Sequence, residues 1–456
     1  MGMIDRAHSA WLNCGHMRGK RRRYKDFTYG RQWDDYCPSP RGGIMTERMR
    51  MEEEGRVPIT NNIIRQMVKG IVGRWRYLQQ GGLTPGSPLP PQTEEDARAL
   101  EEFLISGMVV QRREGAEGMW RNVSPERLIF ETFERADASD CRLVGMLHDM
   151  SPAEIFSRFG RGDLRRVEAL RQALRGCEQR DFQLSNDMSG GLDFATPLRK
   201  GCYRIIEVWE RCGSEWIEVY DPFLKSTRRE LPDSLTRLQA LNRARREVGS
   251  EPLELRHRTG EYWRQRWLTP TGLLLEQQTG GTPPFAIRFY PMIDGEVHSL
   301  VEDVIDQQKY VNRLISLLDH IISSSAKGVL LYPADQLPDG FTWRELRRIW
   351  STPNGIMPYK RTAKGVSPEQ VHTGSAVGAG AAEMLKTQLE LFETISGNAG
   401  ALRGRSTSAA GEGMLRAELE NATIALLDVL GAFDAFIRNR PGEKPEKSES
   451  HEDDRD

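Results

Sequence analysis

An α+β protein is what this sequence predicts, and three observations carry the prediction. Residues 285–290 (FAIRFY) form an extended apolar run that breaks at Pro291 and turns at Asp294-Gly295. After the turn Val297, Leu300, Val301, Val304, Val311, Leu314, Leu318 and Ile321 recur three or four apart. Glu302, Asp303, Asp306, Lys309 and Arg313 take the opposite side, so a long amphipathic helix is expected. At 1.5 Å per residue it would run about 45 Å, long enough to pack along neighbours rather than inside one compact core. Elsewhere, apolar runs of strand length lie between further segments of helical period.

Residues 1–58 are polar, rich in Arg, Tyr and Gly and weakly periodic, which predicts an arm. Its aromatic residues Tyr24, Phe27, Tyr29, Trp33 and Tyr36 suit it either to lie across a neighbouring chain or to pack back onto its own domain. A helix is expected from Asn61 to Leu78, capped by Thr60, with Ile63, Ile64, Met67, Val68, Ile71, Val72 and Trp75 on its apolar face. GGLTPGSPLPPQ (81–92) reads as a loop, and Thr93 with Asp96 has the spacing of a capping box opening the next helix. Trp120–Phe133 reads as strand, turn and strand; Ser151-Pro152 is a good helix-initiating pair. Leu164, Val167, Leu170 and Leu174 continue as an amphipathic helix, and Gly176–Pro197 is a polar linker.

CYRIIEV (202–208) and WIEVY (216–220) read as a β-hairpin, Ser234–Val248 as a helix through Leu235, Leu238 and Leu241, and Leu253–Gln277 as paired strands. Beyond the long helix, Gly328–Tyr332 has the composition of a buried strand and Trp343–Ile349 that of a short helix. Gly378–Ser396 is expected to be helical, with Met384, Leu385, Leu389, Phe392 and Ile395 on one face. A Gly-rich loop (397–413) and a last helix, Met414–Ile437, follow. From Pro441 on there are no apolar residues, and this end is expected to be disordered.

A chain of 456 residues is long enough for two or three structural units. Its 28% charged and 38% hydrophobic residues fit a soluble protein, and no run approaches eighteen consecutive apolar residues, so no membrane span is expected. MGMIDRAHSAWLNC lacks the pattern of a signal peptide. A net charge of −1 argues against a surface that coats nucleic acid generally. A basic cluster (Arg18, Lys20, Arg21, Arg22, Arg23, Lys25) and an acidic end (Glu449, Glu452, Asp453, Asp454, Asp456) stand out against that neutrality. The six cysteines have no C-x-x-C spacing, so reduced thiols in a cytosolic setting are expected, with neither a disulfide framework nor zinc.

Covalent chemistry finds little support. Gly400-x-x-x-Gly404-Arg405-Ser406 has the wrong glycine spacing and no lysine for a phosphate-binding Walker loop. Asp303 and Asp306, with Glu302, are the one acidic group that would suit a metal-dependent nuclease, against the plainer reading as the solvated face of a helix. No H-E-x-x-H spacing and no serine nucleophile elbow is present. No cofactor is expected.

The order strand, D-G-E turn, then a helix carrying V-x-x-x-x-D-x-Q-x-x-x-N-x-x-x-S resembles the portal proteins of tailed phages, most closely the short-tailed-phage type. The residues carrying it are Asp294, Gly295, Glu296, Val301, Asp306, Gln308, Asn312 and Ser316. Tyr29-Gly30-Arg31-Gln32-Trp33, Pro58-Ile59-Thr60-Asn61-Asn62, Val123-Ser124-Pro125 and Met150-Ser151-Pro152 are similar to further portal phrases. The resemblance implies a portal fold. It would comprise an N-terminal arm (1–58), a wing (59–230), a first stem helix (231–252), a small β-rich clip (253–293), a second stem helix (294–327), a second wing part (328–440), a disordered acidic tail (441–456) and a minimal crown.

It also implies a homo-oligomeric ring, dodecameric by family habit, at one capsid vertex of the virion and assembled in the host cytoplasm. Its expected partners are double-stranded DNA in the channel, the terminase large subunit, scaffold and major capsid proteins and tail adaptors, with no membrane. The loop 397–413 would be the tunnel loop, with Arg403 and Arg405 facing DNA; Val304, Val311, Leu314 and Leu318 would pack the stem. Another head–tail connector or capsid component is the alternative within the structural class.

Overall fold

The computed structural model describes residues 2–40, 42–79, 91–115, 118–184, 192–325, 329–351, 356–361, 367–371, 375–396, 424 and 426–441. In chain order it begins with α1 (Met3–Asn13), α2 (Gly15–Thr28), β1 (Tyr36–Pro38), β2 (Ile44–Thr46), α3 (Glu47–Glu53), α4 (Ile63–Gln79) and α5 (Pro91–Ser106). Then come β3 (Met108–Arg113), β4 (Trp120–Asn122), β5 (Leu128–Phe130), β6 (Leu143–Met150), α6 (Pro152–Phe159), α7 (Leu164–Leu184), β7 (Tyr203–Asp221), β8 (Ser226–Glu230) and α8 (Leu235–Glu247). The chain continues through β9 (Glu254–Leu268), β10 (Leu274–Thr279), β11 (Phe285–Phe289), β12 (Met292–Ile293), β13 (Glu296–Val297) and α9 (Leu300–Ser325). It closes with β14 (Val329–Leu331), α10 (Trp343–Ser351), β15 (Glu369–Val371), α11 (Ser375–Ile395) and α12 (Leu427–Arg438). Helix and sheet are both abundant and the strand pairs are antiparallel, as an α+β class requires.

Two compact units share the chain: residues 1–23, 72–300 and 427–456 form the first, and 24–71 with 301–426 the second. The first unit is built on a sheet of order β10-β9-β7-β6-β5, with β8 also on β7, and a three-stranded sheet β11-β3-β4. Apolar side chains of the two sheets, among them Val110, Phe130, Val144, Phe285 and Phe289, make one core cluster. Another face of the larger sheet (Ile129, Leu143, Leu147, Ile206, Val208, Leu268) is covered by Ala7, Ala10 and Trp11 of α1.

Of the two dispositions expected for the N-terminal stretch, α1 takes the second and packs back onto its own unit. Residues 3–28 are two helices, and α1 is a packed element. The basic cluster is correspondingly committed. Arg18 stacks over Trp11 at 3.7 Å, and buried Arg21 bonds Glu102 (2.6 Å) and Glu126 (2.9 Å). Those acids lie far along the chain, which is why the local sequence reads as solvated charge.

The expected hairpin at 202–220 is also corrected. Residues 203–221 are one strand of 19 residues, paired in unbroken register with β9 from Ile206–Leu268 to Tyr220–Glu254. Cys212-Gly213-Ser214 looks like a turn but stays extended, with Gly213 opposite Glu261. Trp216 lies across Gly260, where an added Cβ would fall 2.6 Å from the ring, so bare backbone is what lets the indole cover the ribbon. At the far end Ile217, Val219, Leu238 and Leu253 form a small core beneath α8.

Some helix starts differ from expectation as well. Thr60 accepts from the Trp33 indole (3.0 Å), while Asn62 accepts from the Arg65 amide (3.1 Å) and caps α4. Thr93 lies inside α5, which begins at Pro91. Ser151 and Glu154 do form the full capping box of α6. Among the described residues, 329–331 pair with β15 alone, and Leu331 is exposed, in contrast to the buried strand expected. The tail from 442 and loop 397–413 lie outside the described residues.

Candidate functional site

Asp294-Gly295 forms the turn of the β12–β13 hairpin with φ of 53° and 80°, the left-handed pair that a two-residue hairpin turn needs. Three residues beyond β13, α9 runs for 26 residues, about 39 Å. Within the second unit its buried side carries a polar ladder, Gln308, Asn312 and Ser316, each at most 1% exposed.

The ladder holds the chain that leads into α4. Gln308 Oε1 accepts from the amides of Ile63 (2.9 Å) and Ile64 (3.2 Å), and its Nε2 donates to the Asn61 carbonyl (2.6 Å). Asn312 Oδ1 accepts from the Asn61 amide (2.9 Å), and Ser316 Oγ from the Ile59 amide (3.0 Å). The match is geometric. Four helical residues rise about 6 Å and two extended residues about 6.6 Å, so a ladder at i, i+4, i+8 meets every second amide of a chain running past it. It also supplies partners to amides at the start of α4, which have none inside that helix.

A second layer fixes the ladder. Gln32 accepts from Asn312 Nδ2 and donates to the Phe27 carbonyl (2.7 Å), while Asn62 Nδ2 donates to the Thr28 carbonyl (2.8 Å). Gly30, at φ 95°, ends α2: the Arg31 amide reaches back to Asp26 O and the Gly30 amide to Phe27 O, a Schellman close. On the neighbouring face Lys309 pairs with Asp35 and Glu47, and Arg313 with Glu47 at 2.9 Å. The phrases Y-G-R-Q-W, P-I-T-N-N and Q-x-x-x-N-x-x-x-S, remote in sequence, therefore meet in one knot. Its hydrogen-bonding groups are amides and hydroxyls, suited to holding a backbone rather than to transferring protons.

Among the described residues of the first unit is a concentrated charge centre that sequence reading missed. Glu207 on β7 is fully buried; its oxygens take bonds from His148 (2.9 Å), Arg112 (2.9 Å), Trp209 (3.0 Å) and Gln265 (2.7 Å). Burial opposes its ionisation, but the His148 bond and the Arg112 charge outweigh that and hold its pKa at about 2. Burial pushes the His148 pKa down despite Glu207, so neutral His148 donates to a charged carboxylate. A carboxylate with its oxygens so filled, and no exposure, is poorly placed to exchange a proton with substrate. The signal was a lone Glu inside the apolar run RIIEVW.

Of the stem-packing candidates, Val304 and Val311 are fully buried and Leu314 is 7% exposed within the single chain; Leu318 is half-buried. Leu314 borders a cleft of about 340 Å³ with Trp33, Met51, Tyr310 and Leu317. Arg403 and Arg405 lie outside the described residues. Asp303 and Asp306 are exposed, and among the described residues no three His, Cys, Asp or Glu side chains converge as a metal site would need. No described helix is long and apolar enough to cross a membrane. Against known proteins, the family model described as "Phage P22-like portal protein" matches residues 120–432, about two thirds of the chain. No curated protein matches it.

Proposed function

Because the chain belongs to the P22-like phage portal protein family, we propose that it assembles into a ring at one capsid vertex. Through that ring DNA is packaged and later ejected. The role is structural: the ring docks the terminase large subunit, which supplies the energy, and afterwards tail adaptor proteins, and it meets scaffold or major capsid protein during assembly. The family match over residues 120–432 carries this reading. The order of elements supports it, with β11, the Asp294-Gly295 turn and α9 succeeding one another as the portal resemblance requires.

In this reading α9 is the second stem helix, α8 the first, and the strands of 253–293 the clip. The 13 residues of α8 span about 20 Å, half the length of α9, so the long β7–β9 ribbon supplies much of the reach. Loop 397–413, with Arg403 and Arg405, is assigned to the channel. Weak phosphate contacts suit a conduit, because every added contact strengthens a salt-sensitive grip that would arrest the duplex. Negative-stain images of the purified protein test the proposal. Rings with a central hole wide enough for duplex DNA support it. Solid particles without a hole, or metal-dependent DNA cleavage lost on Asp303→Asn and Asp306→Asn, would replace it with another connector or a nuclease.

A further inference from the structure

Helix α10 divides its side chains sharply between an apolar and a basic side. Trp343, Leu346, Ile349 and Trp350 share one side, and Arg344, Arg347 and Arg348 the other, at spacings of three and four. Most of the apolar side faces the chain: Leu346 is buried, Ile349 and Trp350 are half-buried, and Trp343, though 49% exposed, meets Tyr332 edge-on at 6.0 Å. The pKa of its one acid, Glu345, is lowered by its bonds to Thr342 and, more weakly, by the charge of Arg348. Glu345 accepts from the Thr342 amide (2.9 Å) and hydroxyl (3.0 Å), closing the N-terminal cap.

On its polar side the helix presents guanidinium. Arg344 and Arg347 are exposed and have no acidic partner among the described residues. Nearby, Lys360 pairs with Asp339 at 3.1 Å, and Arg361 is exposed. In a chain of net charge −1, such a row calls for a partner that is anionic at regular spacing and needs no apolar pocket.

We infer that the arginine face of α10 is a sequence-independent contact for the phosphodiester backbone of duplex DNA, additional to the proposed tunnel loop. The inference rests on the portal reading and extends it. A membrane surface is the less fitting anion, because an interfacial helix must insert its apolar side, and of that side only Trp343 is exposed.

The test compares the full-length protein with Arg344→Gln/Arg347→Gln and with Arg98→Gln, an exposed arginine on α5, as control. Binding to a random-sequence duplex is followed by anisotropy across a salt series, binding to anionic vesicles by sedimentation, and oligomer mass on the same samples. The slope of log K against log salt should be shallower by about one to two units for the double variant, because each lost phosphate contact removes about 0.9, and unchanged for the control. Equal slopes and affinities for wild type and double variant overturn the inference. So does vesicle binding that depends on Arg344 and Arg347 without any effect on DNA. The mass separates the two claims: absence of rings counts against the portal reading, while the slope difference still decides the role of α10.

Discussion

Glu207 shows how one side chain couples stability to pH. Its folded pKa of about 2 lies below the ordinary 4.5, so its contribution is fully present above pH 4.5 and is lost as pH falls through about 2. His148 acts in the same direction. With its pKa lowered from 6.5, the unfolded chain takes up that proton first, and stability begins to fall below about pH 6.5. Denaturant titrations at pH 7, 5.5 and 4 should give steadily lower midpoints. Glu207→Gln removes one partner of a buried pair and leaves Arg112 uncompensated; it should cost about 3–5 kcal/mol at pH 7. An unchanged midpoint would refute the electrostatic account. Gly107 offers a steric counterpart: φ is 69°, and a Cβ would meet Tyr290 O and Val297 Cγ1 at 2.7 Å and His298 O at 2.8 Å. Gly107→Ala should lower stability by about 2–4 kcal/mol by thermal or chemical unfolding.

At the scale of elements, the knot on α9 makes the sharpest prediction. Gln308→Ala leaves the Ile63 and Ile64 amides and one bond of the Asn61 carbonyl unmet in the interior, at about 1–3 kcal/mol for each buried group. Hydrogen exchange at residues 59–64 should accelerate in the variant while β7 and β9 stay protected. Equal acceleration everywhere would mean that the ladder merely adds global stability.

This is also where sequence was half legible. The spacing Gln308, Asn312, Ser316 and the phrase at 58–62 were both visible, but their being partners was not, since about 250 residues separate them. Thr60 looked like a cap because short polar residues before an apolar period usually are; Asn62 and Gln308 satisfy those amides instead. Helix α2 was missed for a related reason. Its buried positions are Arg18, Arg21, Tyr24, Phe27 and Thr28, so its pattern reads as polar until distant carboxylates neutralise Arg21. The ribbon of β7 hid behind Gly213-Ser214, which mimics a turn in sequence and is held straight by pairing with β9.

For the whole molecule, the claim is that chains close into a ring around DNA. A heterologous interface repeated by rotation closes only if the same two patches meet at every step, and holding such a ring requires large apolar burial between subunits. Stem packing through α9 predicts that Leu314→Asp abolishes the ring. Circular dichroism on the same variant checks that each subunit stays folded, since Leu314 is largely buried in the single chain. The most direct measurement is the native mass of the wild-type protein in solution. The account predicts one dominant species of about 620 kDa, twelve chains of 51.9 kDa each. A population that remains monomeric or dimeric at high concentration, with and without co-expressed scaffold, would contradict it.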